Sequence, residues 1–126
     1  MGKDALITVR TKQFSLRVIK ACHFLERSDG VLAPLSELLL TAGTSIGLSI
    51  RKAHYARSQT EFLHRLEVAL KAARETQYWL ELIIESDLVD ALRFYPLLDE
   101  AAMLHKIFVA SIHKLQNRGN SASEKS

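Results

Sequence analysis

Few side chains in this sequence could do chemistry, and their spacing decides what each can do. Glu61 and His64 form a Glu-x-x-His pair, the unit from which di-iron sites in helix bundles are built. Such a site needs two inward-facing pairs. Glu100 and His105 are five apart, so no second pair exists. At about 100° per residue, Glu61 and His64 also fall off the apolar stripe of their helix. Glu61 instead completes Ser58-Gln59-Thr60-Glu61, a capping box at a helix start. The five histidines show neither His-x-x-x-His nor His-Glu-x-x-His spacing. One cysteine, Cys22, cannot build a structural zinc site. Ser45 and Ser49 fall mid-helix, where a hydroxyl bonds back to the preceding turn. Gly43 and Gly47 are too helical in context to form a phosphate loop. The expectation is a non-enzyme without metal or cofactor.

Charge is more informative than catalysis. Between Glu75 and Glu100 stand seven acidic residues and one basic residue, Arg93, although the whole chain carries +3. In a bundle whose helices alternate in direction, the acids Glu26, Asp29, Glu37, Glu81, Glu85, Asp87, Asp90, Asp99 and Glu100 collect at one pole. Lys3, Arg10, Lys12, Arg51, Lys52, Arg57, Arg65, Lys114, Arg118 and Lys125 collect at the other. Clustered Lys and Arg bind polyanions by releasing counterions. Arg51, Lys52, Arg57 and Arg65 are therefore the candidate nucleic-acid-binding residues. No aromatic-interleaved motif for reading bases accompanies them, so the binding expected of them, to RNA or DNA, has little sequence preference.

The elements that position these residues are helices. A chain of 126 residues makes one domain. Cys22, with apolar neighbours, reads as a buried thiol. The N-terminus lacks a basic patch followed by a long apolar run, so no secretory signal is read. The longest uncharged run, Leu38 to Ile50, is thirteen residues. A bilayer span needs about 20. The expectation is a cytoplasmic protein with no membrane partner.

Residues 1–11 read as an N-terminal arm, with Leu6 to Val9 as a short strand. Phe14, Val18, Cys22 and Leu25 follow helical spacing, and Ser28-Asp29-Gly30 ends that helix. Pro34 opens a second helix with Leu35, Leu38, Leu39, Ala42, Ile46, Ile50 and Ala53 on one stripe. The capping box starts a third, with Phe62, Leu66, Ala69, Ala73, Thr76, Leu80 and Ile83 inward. Pro96 opens a fourth, carrying Leu97, Ala101, Leu104, Phe108, Ile112 and Leu115. Gly119 is read as its C′ residue and 119–126 as a disordered tail. The fold class is all-α, an antiparallel up-down-up-down four-helix bundle over residues 12–118.

Two details go beyond a core. Gly43 and Gly47, each costing about 1 kcal/mol against Ala in a helix interior, lie on one face and invite another backbone to come close. On the third helix a second stripe, Val68, Ala72, Glu75, Trp79 and Leu82, lies off the core arc. Leu48 does the same on the second helix. Leu48, Val68, Trp79 and Leu82 are the candidate oligomer interface.

The passage Ala42-Gly43-Thr44-Ser45-Ile46-Gly47 stands with Ala56-Arg57-Ser58, Glu61-Phe62 and Ala69-Leu70-Lys71. Ala73-Arg74-Glu75-Thr76 and Tyr78-Trp79-Leu80 follow. Together they resemble the bacterial four-helix-bundle family named after the 23S rRNA intervening-sequence protein. Leu48-Ser49, Lys52 and Ala72 depart from its usual residues. The resemblance implies an antiparallel bundle assembling as a homopentamer, often of unassigned function. Some members are encoded within insertions in large-subunit ribosomal RNA genes. A related branch serves diversity-generating retroelements as a basic pentamer that engages a reverse transcriptase and nucleic acid. The alternative to nucleic-acid binding is thus an oligomeric protein-interaction scaffold or a reverse-transcriptase accessory subunit.

Overall fold

The computed structural model describes residues 3–28 and 30–125, with side chains described for 6–28 and 30–119. Met1, Gly2, Asp29 and Ser126 lie outside it, as do the side chains of Lys3 and Lys125 assigned above to the basic pole. Four helices make up the fold: α1 (Lys3–Ser28), α2 (Ala33–His54), α3 (Gln59–Glu85) and α4 (Tyr95–Lys125). Short 3-10 turns at Gly30–Leu32 and Ala91–Arg93 lead into α2 and α4. No strand occurs among the described residues. The helices pack in cyclic order, α1 on α2, α2 on α3 and α3 on α4, with a much thinner seam between α1 and α4.

The apolar stripes define the core. Phe14, Val18, Cys22 and Leu25 meet Leu39, Ile46, Leu66, Ala73, Leu80, Ile83, Leu104 and Phe108, all buried. Leu38, read as part of the α2 stripe, is 44% exposed. The segment Gly30–His54 is by length and hydropathy apolar enough to cross a membrane. Here α2 lies between α1 and α3 with Leu39, Ala42, Gly43, Ile46, Ile50 and Ala53 buried.

The N-terminal arm is corrected. Residues 3–11 are helical and continuous with α1. Ile7 packs against the core, Thr11 is fully buried, and its hydroxyl donates to the Ile7 carbonyl at 2.9 Å. That bond lets a threonine occupy a core position, so the 4-3-4 spacing of Ile7, Thr11, Phe14 and Val18 runs unbroken. The tail is corrected as well. Helix α4 continues past Gly119 to Lys125, and none of the described glycines takes the positive φ that a C′ cap requires.

The glycines do what their spacing implies. A Cβ on Gly43 would lie 2.7 and 2.8 Å from the two methyls of Val18, and one on Gly47 would lie 2.9 Å from the Ser15 hydroxyl. Helices α1 and α2 approach too closely for a side chain there. Further along, the buried Cys22 thiol donates to the Ser36 carbonyl and the Ser36 hydroxyl donates to the Cys22 carbonyl, each at 3.3 Å. Burial pushes the Cys22 thiol up, keeping it a protonated donor. As α1 advances from Thr11 through Val18 to Cys22, its partners on α2 recede from Gly47 through Gly43 to Ser36.

The cap of α3 differs in one arm. Ser58 accepts from the Glu61 amide at 3.1 Å, but Glu61 reaches back to the amide of Arg57, also at 3.1 Å. Beyond α3, Asp87 takes φ 59°, the left-handed turn that ends the helix.

Candidate functional site

The residues singled out for polyanion binding sit where α2 ends and α3 begins. Arg51, Lys52 and His54 occupy the last turn of α2. There the exposed carbonyl ends favour positive charge, so part of their presence is explained by the helix itself. Arg57 follows in the connection, and Arg65 projects from the second turn of α3. Arg51, Lys52 and Arg57 are exposed, whereas Arg65 is half-buried and its Nε is buried with no hydrogen-bond partner. None of the four makes an ion pair among the described residues, where Arg10 with Glu100 is the only one.

One further cation of the basic pole, outside the four candidates, stands beside them. Lys12 of α1 joins Arg51, Thr8, Ser15, Gly47 and Leu48 around a groove of about 240 Å³. A second hollow of about 330 Å³, lined by Thr8, Val9, Arg51, His54 and Tyr55, shares Arg51 and Thr8 with it. Tyr55 is 74% exposed and stands edge-on to His54, with ring centroids 5.1 Å apart. The signal for Lys12 was present: it lies on the flank of α1 next to Ser15, which meets Gly47 across the helix seam.

The interface residues divide between two places. Leu48 is 55% exposed and opens onto the α1–α2 groove. Val68, Trp79 and Leu82 are half-buried on α3, with Trp79 packed partly against the core. Ala72, from the same stripe, is buried, so this flank of α3 meets α2 as well as solvent.

The pole assignment fails at one point. Arg10 and Glu100, placed at opposite poles by the sequence reading, form a two-pronged ion pair, each prong 2.7 Å. The guanidinium holds the Glu100 carboxyl below its ordinary range, since its two hydrogen bonds stabilise the charged form. Glu61 is committed to the Arg57 amide and His64 is exposed. No three histidine, cysteine, aspartate or glutamate side chains converge among the described residues. His105, considered above only as a failed partner for Glu100, bonds Gln77 at 2.8 Å and ties α4 to α3.

No curated protein matches the chain. A crystal structure of a protein with unknown function from the S23 ribosomal protein family of Bacteroides thetaiotaomicron VPI-5482 is similar, at 32% identity. The match covers 89% of this chain and 99% of that one, with a TM-score of 0.80. The family described as 23S rRNA-intervening sequence protein matches residues 3–110. Motif residues, helical architecture and whole-length likeness therefore agree, and the chain belongs to the 23S rRNA-intervening sequence protein family.

Proposed function

We propose that this protein is a non-enzymatic, cytoplasmic, oligomeric bundle that binds nucleic acid with little sequence preference through its basic end. The observation that carries the reading is a set of cations whose side chains make no ion pair among the described residues: Lys12, Arg51, Lys52, Arg57 and Arg65. Lys12, Arg51, Lys52 and Arg57 are exposed, so their charged groups are open to phosphate oxygens. An up-down-up-down arrangement is supported by the receding α1–α2 contacts and by connections too short for a crossover between α2 and α3. A homopentamer with parallel protomers would repeat the basic end around a ring, so weak phosphate contacts would multiply by avidity.

Binding to RNA and duplex DNA should weaken steeply as salt rises, because each phosphate contact releases a counterion. Replacing Arg51, Lys52 and Arg57 with glutamate should abolish binding while helical circular dichroism is retained. The rival is a protein-interaction scaffold, including an accessory subunit of a reverse transcriptase. Exposed Val9, Leu48 and Tyr55 beside the same groove favour it. No binding at low salt to single-stranded RNA, duplex DNA or a structured RNA would retire the nucleic-acid reading in favour of the scaffold.

A further inference from the structure

We infer that the cleft between α1 and the start of α4 receives the acidic outer face of α3 from a second copy of this chain. The inference rests on the oligomeric reading above and assigns both halves of the contact.

The cleft is the thin seam of the fold. It has a volume of about 190 Å³, a floor that includes Phe24, Phe94 and Pro96, and a rim of Arg17, Lys20 and Arg93. Phe94 is buried, and Arg93 lies over the Phe24 ring at 4.1 Å from its centroid. No carboxylate lines the cleft. Glu100, near enough for Arg17 to act on its charge, is bonded by Arg10, and Arg17, Lys20 and Arg93 make no ion pair among the described residues. Three exposed cations around an apolar floor call for a ligand that is apolar in the middle and anionic at its margins.

The same chain carries such a surface. Along α3, Glu75, Tyr78, Leu82 and Glu85 recur at spacings of three, four and three, the stripe a helix presents to a groove. Tyr78 is 54% exposed, Leu82 is half-buried, and the two glutamates are exposed. The Trp79 ring stands 5.2 Å from that of Tyr78 and widens the apolar strip. From Glu75 to Asp90 the sequence holds five acids and no lysine or arginine. Tyr78 and Leu82 would sit on Phe24 and Pro96, with Glu75 and Glu85 reaching Lys20, Arg17 or Arg93.

Placement argues for a second copy rather than self-closure. With the helices packed in cyclic order, α3 lies diagonally across from α1, so its outer face and the α1–α4 cleft point away from each other. Two different, complementary surfaces on opposed sides make a heterologous contact. Repeated with a closing rotation, such a contact generates a ring.

Charge reversal tests this, because every substituted residue is exposed. The mass in solution at micromolar concentration is measured by light scattering, with circular dichroism confirming the fold. Lys20→Glu with Arg93→Glu should drop the assembly to the 14.2 kDa monomer. Glu75→Lys with Glu85→Lys should do the same. All four substitutions in one chain should restore the wild-type mass, since the signs match again. If wild type is multimeric and both charge-reversed pairs keep its mass, the pairing is overturned while the oligomer stands. Dissociation without rescue by the fourfold variant also overturns it. A monomeric wild type takes down both this pairing and the oligomeric reading beneath it.

Discussion

Helix α1 meets its two neighbours by opposite means. Against α2 it uses shape: Val18 fills the space over Gly43, Ser15 and Thr11 lie on Gly47, and Cys22 exchanges hydrogen bonds with Ser36. Against α4 it shares the common core with Leu104 and Phe108, but the seam itself is thin, with the exposed Arg10–Glu100 pair at one place and a cation-rimmed cleft at another. Close packing removes water and gains dispersion along the whole seam, whereas an exposed ion pair gains little. The stability of α1 therefore resides on its α2 side. Its α4 side is the looser of the two seams.

The largest break in this comparison comes at the glycines. A Cβ at Gly43 collides with both methyls of a fully buried Val18, whose β-branched side chain is stiff at χ1. Gly43→Leu should destabilise by about 3 kcal/mol, the upper end of overpacking. At Gly47 the nearest atom is the Ser15 hydroxyl, which can rotate away, although the Thr11 carbonyl oxygen stands 3.3 Å off. Gly47→Leu should cost about 1 kcal/mol, partly offset by better helix propensity. Chemical denaturation reads both. Equal stability of wild type and Gly43→Leu would mean the seam is looser than its geometry.

How much of this was legible follows from the range of each signal. The glycine pair, the capping serine and the core stripes announce themselves within one or two helical turns, and the structure keeps them. The helical start at residues 3–11 was missed because Thr11 breaks an apolar pattern, and only its back-bond to Ile7 makes it a core residue. The cleft was invisible for a different reason. Arg17 and Arg93, and likewise Arg10 and Glu100, are brought together by tertiary packing across most of the chain. A wheel drawn for one helix cannot show which helix will stand beside it.

A smaller effect should come from the hydrogen-bonded end of the tight seam. Ser36→Ala removes the donor to the Cys22 carbonyl while leaving the thiol bond, and Cys22→Ala removes the reverse bond and some buried volume. Each should cost about 1 kcal/mol, and together less than their sum, because the two bonds hold the same helix contact. A double-mutant cycle on denaturation midpoints measures the coupling. Strict additivity would show the bonds to be independent and the exchange to be coincidental.

The smallest expected effect belongs to the other seam. Arg10 and Glu100 form a well-aligned pair, but their side chains are 43% and 19% exposed, so solvent screening limits the gain to about 0.5 kcal/mol. The sign of its pH dependence is fixed. Arg10 holds the Glu100 carboxyl below its ordinary value of 4.5, so the folded chain releases that proton more readily than the unfolded one. The contribution is therefore present above about pH 4.5 and is lost as pH falls through the lower, folded value. Glu100→Gln should be slightly less stable than wild type at pH 7, and the gap should narrow as pH falls below 4.5 and close below the folded value. The difference at pH 7 should also shrink at high salt, because exposed charges are screened. A gap that did not narrow as pH falls would show that Glu100 acts through packing. The α1–α4 seam would then hold by shape as well, and the contrast between the two sides of α1 would be smaller than drawn above.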